Sequence, residues 1–147
     1  MISFHPVKVS QMEKLYPIIE SVCINGMGLD EALSYLSNTP LMEITGHDGT
    51  SLGMLSVEPY GALGVEVHAY VLPEHRKRSK ELLEAFKEAI FTLTPFTTIR
   101  TTVTGDFKPL VRFLSFIGFR VVGINKGVVS KSGMVHDLYV LETNKGD

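Results

Sequence analysis

The sequence has 147 residues, of which 44% are hydrophobic and 20% are charged, and its formal net charge is −2. A chain of this length fits one domain and buries enough surface to fold without metal or disulfide staples. Its single cysteine, Cys23, excludes an internal disulfide framework, and 14 basic against 16 acidic residues argue against a nucleic-acid-binding surface over the whole molecule. Because no apolar run approaches the roughly 20 residues that span a bilayer, and the N-terminus lacks a signal-peptide core, we expect one cytoplasmic domain over residues 1–147.

The N-terminal part of the sequence predicts one short strand and two helices. Ile2–Phe4 forms the predicted strand, which ends near Pro6. Apolar residues then recur at helical spacing over Met12–Val22, and Ser10 is in position to cap that helix. A second, shorter helix is predicted over Leu29–Leu36.

The middle of the sequence changes to an alternation of apolar and polar residues, which is typical of strands. Met42–Thr45 and Leu52–Val57 predict two strands, and His47-Asp48-Gly49 between them predicts a hairpin turn. Val65–Leu72 predicts a third strand. Residues from Leu82 to Leu93 carry an apolar face over three helical turns, which predicts an amphipathic helix.

The C-terminal part predicts three more strands and one helix. Asp106 is in position to cap that helix and Gly118 to end it, with Pro109 tolerated in its first turn. The strands are Thr97–Val103, Phe119–Ile124 and Val135–Leu141. The order β-α-α-β-β-β-α-β-α-β-β predicts an α/β (α+β) fold, a mixed, mostly antiparallel sheet with helices on both faces.

Polar side chains follow one face of the predicted strand Val65–Leu72. Glu66, His68 and Tyr70 point one way, whereas the valines between them point the other. Three such side chains in a row suggest a cleft in which a carboxylate or an imidazole takes a proton. The alternative is a strand with one face in water and no function.

Basic residues gather directly before the predicted helix that contains Leu82. We call His75–Lys80 the basic turn. Positive charge at a helix N-terminus opposes the helix dipole, so the cluster is unfavourable unless an anion binds there. Free backbone N–H groups of the first turn and basic side chains together make a phosphate site. The alternatives are a solvated basic turn and a local nucleic-acid patch, which would bind with a steep dependence on salt.

Two stretches of the sequence resemble the GNAT superfamily of acetyl-CoA-dependent N-acetyltransferases. They are VHAYVLPEHRKRSKELLEAF (Val67–Phe86) and TVTGDFKPLVRFLSFIGFRVVG (Thr102–Gly123). In that family a strand with a Val-x-Pro-like end leads to an Arg/Gln-x-x-Gly-x-Gly loop and a helix. The resemblance implies acetyl-CoA as co-substrate and no metal. The cofactor-binding residues that it implies are Val71 and Leu72 for the pantetheine arm, Arg76, Lys77, Arg78, Ser79 and Lys80 for the phosphates, and Asp106 in place of a common asparagine.

The sequence departs from the family pattern at three informative positions. Ser79 and Glu81 stand where the loop glycines would fall, so the pyrophosphate loop is degenerate, and Glu81 brings a negative charge. Leu114 occupies the position of a tyrosine general acid in many members. The resemblance therefore implies Glu66 or His68 as the base and Tyr70 as a substitute acid, in an enzyme that acetylates a primary amine by direct attack.

A second interpretation follows from the same departures. The chain is then a catalytically silent GNAT-like module, similar to proteins of tailed bacteriophages, that binds a partner or forms part of a virion. For the enzyme we expect a small-molecule or protein amine as acceptor, no membrane or nucleic-acid partner, and a monomer or homodimer. Its expected location is the cytoplasm of a bacterium or of a phage-infected host.

Overall fold

The structure is a computed structural model, and it describes residues 2–8, 13, 40–131 and 133–147. The two helices expected over Met12–Val22 and Leu29–Leu36, with Ser10 as a cap, lie outside the described residues. The described strands are β1 (Ser3–Val7), β2 (Leu41–Thr45), β3 (Ser51–Tyr60), β4 (Gly64–Val71), β5 (Thr98–Thr104), β6 (Arg120–Lys131) and β7 (Met134–Asn144). The described α-helices are α1 (Ser79–Leu93) and α2 (Lys108–Phe116), and a 3₁₀ helix over Pro73–Arg78 precedes α1.

The strands form a seven-stranded sheet with the order β1-β2-β3-β4-β5-β7-β6. The pairs β1–β2, β2–β3, β5–β7 and β6–β7 are antiparallel, whereas β4 and β5 are parallel. The expected mixed, mostly antiparallel sheet is therefore confirmed. The complete element order, which includes the two N-terminal helices, stays a prediction.

The chain groups into two compact units. One comprises residues 1–58 and 67–85, and the other comprises residues 59–66 and 86–147. In the first unit the buried apolar core includes Ile44, Leu52, Met54 and Leu55; in the second it includes Val65, Ile99, Val103, Leu114 and Leu141. The expectation of a single domain over residues 1–147 stays a prediction.

The hairpin between β2 and β3 forms where the sequence predicts it. Gly46 N donates to Thr50 O at 2.9 Å, and Gly49 takes a positive φ of 81° that glycine adopts without steric cost. The Asp48 carboxylate accepts a hydrogen bond from Thr50 N at 3.0 Å. This side-chain bond and a glycine at the positive φ explain why the sequence His47-Asp48-Gly49 turns the chain here.

The first strand is longer than the sequence predicts. It was expected to end near Pro6, but β1 continues to Val7, with Pro6 opposite Met42 of β2. β1 is at one edge of the sheet, where a residue without an N–H group removes no bond from a second neighbour. Proline is therefore tolerated within this strand.

Helix α1 confirms most of the predicted apolar face. Leu82, Phe86 and Ile90 are buried, four residues apart on one side of the helix. Leu93, however, is 80% exposed, so the expectation for this residue is wrong. The helix ends at Leu93, and the Thr94 hydroxyl donates to Ile90 O at 2.6 Å.

Helix α2 starts one residue later than the sequence predicts. Its N-cap is Phe107, which makes no side-chain cap bond, so the expectation that Asp106 caps this helix is wrong. Phe107 N donates to Thr104 O at 2.9 Å, which places Asp106 inside a tight turn before the helix. Pro109 lies in the first turn as expected. Gly118 ends the helix with φ 104°, a conformation that glycine favours.

The last two strands extend beyond the predicted segments Phe119–Ile124 and Val135–Leu141. Their ladder shifts register twice, and such bulges break the alternation on which strand prediction depends. At one of the shifts the Asp137 carboxylate accepts a hydrogen bond from Gly127 N at 3.0 Å, while Gly127 has φ 62°. The carboxylate thus holds the irregular segment in place, and pairing continues to the hairpin end.

Candidate active site

The alternation expected along β4 is present over Val65–His68, but Ala69, which is expected on the buried face, is exposed. Val65 and Val67 are buried at 0% and 5% exposure, whereas Glu66, His68 and Tyr70 are partly exposed. This alternation places the three expected catalytic side chains on one face of a single strand. Glu66, His68 and Tyr70 therefore follow one another along one face of β4.

β4 and β5 pair in parallel. Their ladder includes Gly64 with Thr98, Val65 with Ile99 and Glu66 with Arg100. Arg100 is therefore the residue of β5 directly opposite Glu66.

A backbone hydrogen bond and close packing hold the end of β4 against β3. Leu72 N donates to Leu52 O at 3.0 Å. A Cβ added at Gly53 would overlap the carbonyl oxygen of Tyr70 and lie 2.9 Å from the Cα of Val71. The two backbones therefore approach closely, and this fixes the position of Val71 and Leu72, the residues expected to bind the pantetheine arm.

The basic turn is helical rather than an open loop. Its residues belong to the 3₁₀ helix Pro73–Arg78 and the start of α1, where His75 N donates to Leu72 O and Ser79 N donates to Arg76 O. The expectation of free N–H groups in the first turn of α1 is therefore wrong at Ser79. Without glycine in this stretch the chain continues into a helix, because no residue there requires an open loop.

Glu81 neutralises part of the basic turn. Its Oε1 accepts hydrogen bonds from Arg78 Nη2 at 2.6 Å and from Arg78 Nε at 3.1 Å. Counting histidine as neutral, residues 74–81 keep a net charge of +2. Arg76 and Lys77 are exposed, and the ion pairs found within the described ranges do not involve them. These two cations are therefore the groups of the turn most accessible to an anion.

Three residues that sequence reasoning missed form a cluster in the second unit. We call Tyr60, Arg100 and Glu142 the Arg100 cluster. Glu142 Oε2 accepts hydrogen bonds from Arg100 Nη2 at 3.0 Å, from Arg100 Nε at 3.2 Å and from the Tyr60 hydroxyl at 3.2 Å. The guanidinium carbon of Arg100 lies 4.2 Å from the centre of the Tyr60 ring, a cation–π contact.

A glycine supports the ring of this cluster. A Cβ at Gly64 would lie within 2.8 Å of three ring atoms of Tyr60, so the ring packs directly on the glycine backbone. Burial and then the negative charge of Glu142 raise the pKa of Tyr60 above its ordinary value of 10.0, although Arg100 opposes the shift. Desolvation lowers the pKa of Arg100, but its hydrogen bond to Glu142 and nearby negative charges, including Glu66, outweigh this and raise it. Tyr60 therefore stays a phenol and Arg100 a cation.

The Arg100 cluster is part of a row of charges across four strands. Glu66 of β4 is opposite Arg100 of β5, Arg100 is opposite Glu142 of β7, and Glu142 is opposite Arg120 of β6. Residues in register share one face of the sheet, so the charges alternate in sign along it. Arg120 itself pairs with Asp147 at 2.8 Å. No short motif joins these residues, and only the strand register reveals the row.

The remaining expected site residue, Asp106, is exposed in the turn before α2. Within the described ranges no three His, Cys, Asp or Glu side chains come together as metal ligands. Among the helices of these ranges we find none with the length and apolar character needed to cross a membrane.

Comparisons with known proteins connect this architecture with one group of enzymes. No protein-family model and no curated protein sequence matches the chain. A crystal structure provisionally assigned as a phosphinothricin N-acetyltransferase matches with a TM-score of 0.76 and 19% identity, over 100% of both chains. A chimera of the Vibrio cholerae spermidine N-acetyltransferase SpeG with hSSAT matches with a TM-score of 0.81 and 12% identity, over 97% of this chain and 96% of that one.

A further structure, of the Vibrio cholerae spermidine/spermine N-acetyltransferase SpeG with manganese ions, has a TM-score of 0.76 and 12% identity, over 97% of this chain and 92% of that one. Identities of this size carry no information on individual site residues. Agreement over nearly the whole length nevertheless shows the architecture. The chain therefore has the GNAT fold of these N-acetyltransferases.

Proposed function

We propose that this protein is an acetyl-CoA-dependent N-acetyltransferase that transfers the acetyl group to a primary amine by direct attack. The observation that carries the proposal is the basic turn with its exposed cations Arg76 and Lys77, which follows the strand β4 directly, in a chain with the GNAT fold. This arrangement suits an extended ligand with a diphosphate at one end.

The residues present fit acetyl-CoA along β4. The pantetheine arm would bind at Val71 and Leu72, where the contact with β3 fixes the backbone. The phosphates would bind the basic turn, chiefly through Arg76 and Lys77, with Arg78, Ser79 and Lys80 nearby. Because the amide of Ser79 is already bonded, charged side chains rather than a glycine-rich loop would supply most of the attraction. A contribution of Asp106 stays a prediction.

The proposed chemistry follows from the three side chains on the polar face of β4, Glu66, His68 and Tyr70. Glu66 or His68, directly or through water, would take a proton from the acceptor ammonium. The neutral amine then attacks the thioester carbonyl carbon, and a backbone N–H beyond Glu66 would polarise the carbonyl oxygen. As the tetrahedral intermediate collapses, the carbon–sulfur bond breaks and Tyr70 would protonate the departing thiolate. The extra proton on the nitrogen would then pass, directly or through water, to the Tyr70 phenolate, which leaves a neutral amide. The products are an N-acetylated amine and CoA.

The acceptor would be a small-molecule or protein amine. Spermidine, which the SpeG structures are named for, is the first small molecule to test. A monomer or homodimer in the cytoplasm of a bacterium or of a phage-infected host stays a prediction. The catalytically silent module is the alternative, and it predicts no acetyl-CoA binding.

Isothermal titration with acetyl-CoA tests the proposal. We expect binding by the wild-type protein and about tenfold weaker binding by R76Q/K77Q, since each exposed charge contributes a fraction of a kcal/mol up to about 1 kcal/mol. The matched control is R112Q/K145Q, which removes two other basic residues exposed in the structure. Absence of binding at millimolar acetyl-CoA, or equal weakening by both double variants, would contradict the proposed site.

A further inference from the structure

The side chain of Arg100 is held in one position by hydrogen bonds and by a stacking contact. Two of its nitrogens donate to the same Glu142 oxygen, and its guanidinium stacks on the Tyr60 ring, which itself rests on Gly64. Its side chain is 35% exposed and that of Glu142 19%. A planar guanidinium in a two-point contact loses its freedom to rotate. The cluster therefore fixes a positive charge on this face of the sheet.

The fixed charge is directly beside Glu66, one of the two expected bases. Glu66 is in register with Arg100 in the parallel ladder, so both side chains project from the same face of adjacent strands. The two charges interact electrostatically.

We propose that Arg100 is a positioning residue that holds the Glu66 carboxylate in place for proton transfer. The inference rests on the proposed function. Glu142 takes up two hydrogen bonds of the guanidinium, so Arg100 remains anchored on the β7 side while its charge acts on Glu66. Arg100 touches neither acetyl-CoA nor the amine in this role and acts only through Glu66. Replacement of Arg100 should therefore lower the rate of acetyl transfer only while Glu66 is present.

A double-mutant cycle tests this dependence. Wild type, E66Q, R100Q and E66Q/R100Q are compared in acetyl transfer from acetyl-CoA to spermidine. We expect R100Q to lower kcat about tenfold with an unchanged KM for acetyl-CoA, and to lower it less than about twofold in the E66Q background. R100K should recover most of the activity because it keeps the charge. If R100Q does not fold, R100M, which keeps the aliphatic part of the side chain, replaces it in the cycle. The matched control is R120Q, which removes the other arginine of the row, and its kcat should stay at the wild-type value.

Equal losses in the wild-type and E66Q backgrounds, or an equal loss in R120Q, would overturn the inference. If the wild-type protein transfers no acetyl group, the proposed function fails separately, and thermal unfolding of the same four proteins decides the inference. Non-additive shifts of the melting temperature would support a direct Glu66–Arg100 interaction, whereas additive shifts would overturn it.

Discussion

At the residue scale, Tyr60 connects a glycine, an arginine and a carboxylate. Its ring packs between the backbone of Gly64 and the guanidinium of Arg100, and its hydroxyl donates to Glu142. The sequence does not reveal that these residues are in contact, because they come from four strands, and Arg100 and Glu142 are distant in the chain from Tyr60 and Gly64. By contrast, Glu66, His68 and Tyr70 could be placed on one face from sequence alone, since alternation within a strand is local.

Replacement of Tyr60 by phenylalanine should lower stability and change its dependence on alkaline pH. At neutral pH we expect a loss of about 1 kcal/mol for the hydrogen bond to Glu142. Because the pKa of Tyr60 is raised in the folded state, the stabilisation is complete below the ordinary value of 10.0 and is lost as pH rises through the folded-state pKa. The free energy of unfolding, measured in urea at neutral pH and again above pH 10.0, should therefore fall more for wild type than for Y60F. An equal fall in the free energy of unfolding for wild type and Y60F would contradict the raised pKa of Tyr60.

Replacement of Gly64 by alanine should disrupt the packing of the Tyr60 ring. The added Cβ would overlap three ring atoms, and overpacking of this kind costs about 1–3 kcal/mol. The control is G123A in β6, where the structure shows nothing within 4 Å of an added Cβ. Chemical denaturation should show a clear loss for G64A and a change below about 0.5 kcal/mol for G123A. Equal effects would mean that Tyr60 does not rest on Gly64.

At the element scale, the sequence predicts where strands and helices lie better than how they end or pair. β4 and α1 follow from alternation and helical periodicity, and both are confirmed. The pairing of Glu66 with Arg100 depends on a partner strand that is distant in the chain, so no local pattern reveals it. Asp106 has the chemistry of an N-cap, but a bond between Phe107 and Thr104 moves the helix start past it.

The ion pair between Arg78 and Glu81 should reduce anion binding to the basic turn. We expect E81Q to strengthen acetyl-CoA binding about two- to threefold, because it releases Arg78 and removes a negative charge near the phosphates. Stability should change by less than about 0.5 kcal/mol, since the pair is exposed. E84Q, one turn later on the exposed side of α1, is the control for loss of a carboxylate. Unchanged or weaker binding by E81Q in calorimetry would place the phosphates elsewhere.

At the scale of the whole molecule, the fold is preserved where the sequence is not. Structures with 12–19% identity match the chain over 97–100% of its length. A fold tolerates such divergence because it requires a pattern of apolar positions rather than particular residues. The element order therefore predicts the mixed sheet, whereas roles of single residues such as Glu66 depend on chemistry that the fold does not determine.

The most direct test of acetyl transfer is product formation. The purified protein is incubated with acetyl-CoA and spermidine, and free CoA thiol and the mass of the amine are measured together. We predict equal amounts of CoA and of amine heavier by one acetyl group, with a large loss of both in E66Q. Thiol release without an acetylated amine, or neither product across a panel of primary amines, would contradict the account.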